Sequence, residues 1–145
     1  MHELNEQVKA RLLAPTFWHV ATLNPDGSPQ VTPMWVDLVG DHVVFNTALG
    51  RVKEENLRRD PRLSLSCVST ENPYDRMEIR GRAVRFVVGD EAERGMDLLA
   101  RKYLGTERFE WRIPGERRVM VLVEPTRVRH TVGVEPFRRG ILPEG

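Results

Sequence analysis

Two cations, Arg51 and Lys53, stand where a strand hands over to a helix, and together they could hold a doubly charged anion such as a phosphate. The stretch runs F-N-T-A-L-G-R-V-K-E-E-N-L-R-R-D-P-R-L-S-L from Phe45 to Leu65. Val43, Val44 and Phe45 predict a strand and Leu49-Gly50 a break. A short helix follows from Gly50 to Arg59, and Pro61 stops it before a new strand at Leu63. A helix entered from a strand through a small-residue turn aims its free N–H groups at whatever lies above the strand end. The macrodipole favours acidic side chains in that first turn, so Arg51 and Lys53 are mildly misplaced there unless an anion neutralises them. The competing reading is a solvated helix face, the ordinary fate of mixed Arg, Lys and Glu. Asn56 adds a second signal. Leu49, Val52 and Asn56 are spaced for one helix face, so Asn56 interrupts an apolar stripe and, if buried, needs a hydrogen-bond partner.

Other chemistries find no support. His2, His19, His42 and His130 share no metal-ligand spacing and Cys67 has no second cysteine, so neither a metal site nor a disulfide is expected. The patterns G-x-S-x-G, H-E-x-x-H, G-x-G-x-x-G and the Walker A loop are absent. Ser64, Ser66 and Ser69 alternate along a strand and read as small packed or edge positions, while Cys67 reads as an inert buried thiol. Trp18, Trp35 and Trp111 could stack on a ring, but scattered tryptophans suit core or interface anchors, and His19 beside aromatics reads as structural. No side chain stands out as a catalytic acid or base, so the catalytic set is left unassigned. Charged residues make up 30% of the chain and leave a formal net charge of +1, which gives no field for nucleic acid. The N-terminus lacks the apolar run of a signal peptide and no stretch reaches the length of a membrane span. A cytoplasmic protein with no membrane partner is expected.

The elements that must position Arg51 and Lys53 follow from periodicity. The 145 residues are expected to form one domain, with the Pro/Gly/Arg-rich tail 134–145 loosely held. Leu4, Val8, Arg11 and Leu12 predict an amphipathic helix within Glu3 to Leu13, ended by Pro15. Phe17 to Leu23 predicts a strand, Asn24-Pro25-Asp26-Gly27 a turn, and Gln30 to Leu38 the returning arm of a hairpin. Pro33 cannot donate to a ladder, which puts it on an edge or at a bulge, where backbone groups are free for a ligand. Period-two alternation sets Gln30 and Thr32 on one side. Val39-Gly40-Asp41-His42 turns into a strand from Val43 to Thr47.

Beyond the central helix, Leu63 to Ser69 and Met77 to Val88 alternate as strands, with a bulge or bend at Gly81. Asp90 caps a helix that runs to Leu104, with Ala92, Met96, Leu99 and Tyr103 as its apolar stripe. Thr106 to Trp111 predicts another helical turn. Val119 to Val123 reads as a strand covered on both faces, and Arg127 to His130 extends the sheet past Pro125. The sum is a mainly β (α+β) chain of about six antiparallel strands with flanking helices, which closes naturally into a small barrel.

The succession of strand, Asn46-Thr47, turn, R-x-K-x-x-N-L and D-P-R-x-S-L resembles the flavin- and deazaflavin-binding split-barrel family related to pyridoxamine 5′-phosphate oxidase. The likeness runs from the first helix to about Val123 and is strongest from Ala21 to Leu65. It implies a split β-barrel of the FMN-binding type, forming a homodimer with cofactor sites at the subunit interface. On the same resemblance Arg51 and Lys53 bind the cofactor phosphate, and Asn46 and Thr47 add hydrogen bonds. Gln30, Thr32 and Pro33 line the ring, and Asn56, the last polar residue of R-x-K-x-x-N-L, joins the cofactor set. Tyr74 stands where relatives carry an aromatic beside the cofactor, from the other subunit.

The likeness is closest to members that use the deazaflavin coenzyme F420. That implies a reductase passing hydride to an activated C=C or C=N bond of a small-molecule acceptor. An FMN-dependent oxidase or reductase, and a non-catalytic flavin- or deazaflavin-binding protein, are the other two readings. The acidic tail of F420 would want a basic track beyond Arg51 and Lys53, which Arg58, Arg59 or the late arginines could supply.

Overall fold

Residues 2–133 are described by a computed structural model; the expectation for the tail 134–145 lies outside them. The chain runs α1 (Glu6–Leu13), β1 (Trp18–Leu23), β2 (Pro29–Met34), β3 (Val36–Val39), β4 (His42–Ala48), α2 (Val52–Arg59) and β5 (Arg62–Val68). It continues with β6 (Arg76–Val87), α3 (Asp90–Leu104) and β7 (Arg118–Thr131). One seven-stranded sheet has the order β2-β1-β5-β6-β7-β4-β3, with every neighbouring pair antiparallel. β2 and β3 are opposite edges of that sheet, yet only Trp35 separates them in the chain. A single residue spans at most about 3.6 Å, so the two edges must come together and the sheet rolls into a barrel split along this seam.

Long side chains from α3 fasten the seam. The Tyr103 hydroxyl accepts from the Val36 N–H at 3.0 Å and donates to the Thr16 carbonyl at 2.5 Å. Lys102 Nζ donates to the carbonyls of Leu12 and Val36 at 2.5 and 2.6 Å. Burial pushes the Tyr103 hydroxyl up to about 12, so it keeps the proton it donates. Inside, Trp18, Phe45, Leu65, Ile79 and Val121 are fully buried beneath Leu12 of α1 and Leu57 of α2.

Several local expectations give way to tertiary contacts. The arm predicted from Gln30 to Leu38 breaks at Trp35, because Tyr103 takes the Val36 N–H and stacks on Trp35; this yields one strand more than the periodicity suggests. Asp90 is the first residue of α3, and Gly89 (φ 78°) holds the N-cap position. Thr106 to Trp111 is not helical. α3 stops at Gly105 in the left-handed region (φ 74°), and the Phe109 N–H goes to Asp97 Oδ1 at 2.9 Å instead of to a helical carbonyl.

The predicted strands at Val119 and Arg127 are one continuous β7. Val119, Val121 and Val123 are fully buried, but Met120 and Leu122 are only half-buried, so the second face is incompletely covered. Gly81 does mark an irregularity, with the β6–β7 register shifting between Arg80 and Gly81. A Cβ at Gly81 would meet Val123 Cγ1 at 2.6 Å and the Glu124 carbonyl oxygen at 2.9 Å, a close approach only glycine permits.

Candidate functional site

The start of α2 is shaped by what precedes it. Gly50 (φ 85°) turns the chain out of β4, and Arg51 becomes the N-cap, with no side-chain cap bond. The helix starts at Val52, and this sets its buried face to Lys53, Glu54, Asn56 and Leu57. Leu49 and Val52, expected on that face, are 40% and 51% exposed. Asn56 is nevertheless buried and fully engaged. Its amide donates to Thr22 Oγ1 and Asn24 Oδ1, both at 3.0 Å, and accepts from Arg59 at 2.9 Å.

From Asn56 a polar row runs under α2 along the β1–β2 hairpin. Thr22 lies opposite Gln30 in the ladder and its hydroxyl reaches Gln30 Oε1 at 3.4 Å; Val20 lies opposite Thr32. Lys53 Nζ donates to Thr32 Oγ1 at 2.6 Å. The structure therefore brings Gln30, Thr32, Lys53 and Asn56 together, with Gln30 and Thr32 on one side of β2 and Pro33 on the other. Pro33 stands on an edge strand, as its missing donor requires. Lys53 is only 7% exposed, and among the described residues no carboxylate pairs with it. Burial, and then the charge of Arg51, hold its ammonium below the ordinary lysine range. A buried ammonium with a hydroxyl for a partner is costly to charge, and a nearby anion would remove that cost.

Arg51 belongs to a different set of contacts. Its guanidinium pairs with Glu116 at 2.6 Å, and the other Glu116 oxygen pairs with Arg118 at 2.6 Å. Arg118, itself buried, donates to Asn46 Oδ1 at 2.8 Å, and Asn46 donates to the Ala92 carbonyl at 2.9 Å. Burial pushes the Glu116 carboxyl up, but bonds from Arg118 and Arg51 outweigh this and hold it below its usual range. A cavity of about 240 Å³ opens on this chain of contacts, with Pro33, Trp35, Phe109 and Trp111 among its walls.

Thr47 is buried beside Asn46 on β4. Tyr74 is 54% exposed on the β5–β6 loop, where its N–H meets Asn72 Oδ1, and it touches neither group. Arg58 is held by Glu54 and lies over Phe86; Arg59 donates to the Leu23 carbonyl at 2.6 Å. His19, expected to be structural, is exposed and lines an outer groove of about 570 Å³ with Ser64 and Ser66. Burial lifts the Cys67 thiol to about 11, which keeps it inert at neutral pH. Among the described residues no His/Cys/Asp/Glu group could hold a metal, and no helix is long and apolar enough to cross a membrane. Sequence reasoning missed Glu116 and Arg118. Their spacing just before and at the start of β7 was readable, but their partners Arg51 and Asn46 lie far away in the chain.

A family model for pyridoxamine 5′-phosphate oxidase matches residues 4–131, nearly the whole described chain. The chain belongs to the pyridoxamine 5′-phosphate oxidase family. That family includes oxidoreductases, and its split-barrel fold binds flavins. An F420 reductase of known structure superposes with a TM-score of 0.75 at 29% identity, over 87% of this chain and 98% of that one. A conserved hypothetical protein of Mycobacterium tuberculosis gives a TM-score of 0.69 at 22% identity, over 89% and 85% of the two chains. HupZ of Group A Streptococcus gives 0.63 at 17% identity, over 90% and 100%. The last two likenesses speak to the fold alone. No curated protein matches the chain.

Proposed function

We propose that this member of the pyridoxamine 5′-phosphate oxidase family is a reductase that passes hydride from reduced coenzyme F420 to an activated C=C or C=N bond of a small-molecule acceptor. The observation that carries the reading is Lys53, a buried ammonium with Thr32 as its hydroxyl partner and no carboxylate paired to it among the described residues. It sits beside Arg51 at the start of α2, where the N-cap side chain makes no cap bond and Glu54 accepts from the Gly50 N–H at 3.2 Å. This donor set fits a phosphate dianion. The 29% identity to an F420 reductase, over nearly all of both chains, supports the deazaflavin over other cofactors.

In this reading Arg51 and Lys53 hold the phosphate, and the anion favours the charged form of Lys53 Nζ. Gln30 and Thr32 line the ring from one side of β2, with Pro33 bordering it at the strand edge; Asn56 acts through Thr22, fixing the row on which Gln30 lies. Asn46 and Thr47 complete the strand end, and Tyr74 reaches the site from the second subunit of a homodimer. When bound, a 5-deazaflavin supplies two-electron hydride chemistry. The chain's own task is to bind, orient and exclude water, and the acceptor takes its proton from solvent. The protein works in the cytoplasm as a single-domain protomer.

A second reading, an FMN-dependent oxidase or reductase on the same scaffold, draws on the family's own name. A competition titration of apoprotein with F420 and FMN separates the two, followed by the absorbance of reduced coenzyme with candidate acceptors. The proposal expects tighter binding of F420, and tighter binding of FMN overturns it. Tight binding without turnover of any acceptor leaves a cofactor carrier. Replacing both Arg51 and Lys53 by Ala should weaken cofactor affinity at least tenfold, since charge-assisted bonds contribute about 1.5–3 kcal/mol each.

A further inference from the structure

Glu116 lies near the end of the segment that joins α3 to β7 and carries Phe109 and Trp111. The segment has no helix or strand of its own, yet it is pinned along its length. Asp97 accepts from the Phe109 N–H at 2.9 Å and from Arg112 at 2.7 Å, and Glu93 pairs with Arg112 at 2.9 Å. At the far end the Leu49 N–H donates to the Arg117 carbonyl at 2.9 Å, which clips the segment to the turn leading into α2. The Glu116 N–H itself donates to the Ile113 carbonyl at 3.1 Å. Glu116 is therefore fixed beside the start of that helix.

The two oxygens of Glu116 have unequal partners. Oε1 accepts from Arg118, which is buried and also donates to Asn46, whereas Oε2 accepts from Arg51, whose side chain is half exposed. Arg118 is the fixed partner and Arg51 the removable one. Removing Arg51 uncovers no lone buried charge, because the Glu116–Arg118 pair that remains is neutral. Arg51 also lies close enough to Lys53 for its charge to oppose the ammonium. An anion beside Lys53 therefore feels Arg51 as well, and it meets the Glu116 carboxylate as a rival for that guanidinium. We infer that Glu116 tunes the anion affinity of the helix start: it competes with a phosphate group for Arg51, yields Arg51 when the group binds, and then rests on Arg118 alone. That the group belongs to a cofactor rests on the function proposed above; the competition needs only an anion at Lys53 and Arg51. Two effects make Glu116 oppose binding. The Arg51 pair has to break, and the carboxylate repels the incoming anion. A pair with an exposed partner contributes up to about fivefold in an equilibrium constant, so Glu116 acts as a mild and reversible brake.

Isothermal titration of the full chain with inorganic phosphate at low ionic strength tests the competition. Glu116→Gln keeps an oxygen for Arg118 and should tighten phosphate binding about threefold, where a merely structural residue would weaken it. The double variant Glu116→Gln/Arg118→Gln removes one charge of each sign and puts two neutral amides in place of the pair. It should tighten binding to a similar extent at unchanged net charge, and it serves as the test if the single variant does not fold. Arg51→Ala should weaken phosphate binding, and in that background Glu116→Gln should change it by less than about 1.5-fold. Far-UV circular dichroism verifies folding of each variant. Unchanged or weaker binding in the Gln variants, equal tightening with Arg51 absent, or no saturable phosphate binding by parent and variants overturns the inference. If neither F420 nor FMN binds while the phosphate results hold, the proposed function falls and the role of Glu116 stands. If a coenzyme binds and the phosphate results fail, the function stands and this inference falls.

Discussion

Arg51 and Lys53 are two residues apart at one helix start, yet they live in opposite environments. Lys53 is buried against Thr32 with its charge opposed by desolvation, whereas the Arg51 side chain is half exposed and already paired with Glu116. The difference teaches that an anion would relieve Lys53 more than Arg51. Lys53 has a hydroxyl partner and no carboxylate among the described residues, while Arg51 is already paired with Glu116. The polar row under α2 is therefore left with one ammonium that has no carboxylate partner among the described residues, and the Arg51–Glu116–Arg118 chain is internally balanced but for one charge.

The largest effect should come from breaking the balanced side. Glu116→Ala leaves the buried Arg118 without its carboxylate and should cost about 3 kcal/mol of stability in a denaturant titration. A loss below half of that would show that Asn46 and solvent suffice for Arg118. On the side of the polar row, Lys53→Met should do the reverse of a normal core substitution. It should weaken cofactor binding about tenfold, yet raise apoprotein stability by about 1 kcal/mol, because a desolvated ammonium is replaced by an apolar group of similar length. Lower stability together with unchanged affinity would make Lys53 a structural residue. Arg51→Ala should alter apoprotein stability by less than about 1 kcal/mol, as expected of an exposed pair, with its effect confined to ligand affinity.

The smallest effect concerns the aromatic segment. Burial pushes the Asp97 carboxyl up, but bonds from the Phe109 N–H and Arg112 outweigh it and hold the group below its ordinary value of 3.8. A carboxylate depressed in the folded state contributes stability that is present above its unfolded value and lost as pH falls through the folded one. Thermal melts from about pH 5 downward should therefore fall less steeply for Asp97→Asn than for the parent. Parallel slopes would mean that Asp97 does not hold the segment.

Much of the arrangement around α2 was legible because the rules that place it are local. The missing N–H of Pro33 put it on an edge, the R-x-K spacing set two cations at one helix start, and a buried Asn56 was bound to find partners. The reading failed where a distant group competed for a backbone atom. Tyr103 took the N–H of Val36 from 67 positions away and divided a predicted strand, and Asp97 took the N–H of Phe109 and abolished a predicted helical turn. The helix face was misjudged because a start at Val52 rotates the buried row from Leu49 and Val52 to Lys53 and Leu57.

Sequence alone determined the alternating strands, the turns and the identity of the cations, since each depends on neighbours within a few positions. Tertiary structure alone decided which cation was neutralised: Glu116 reaches Arg51 across 65 positions, and Arg118 reaches Asn46 across 72. Charge compensation depends on distance in space and on the exclusion of water, and only a closed barrel sets either one.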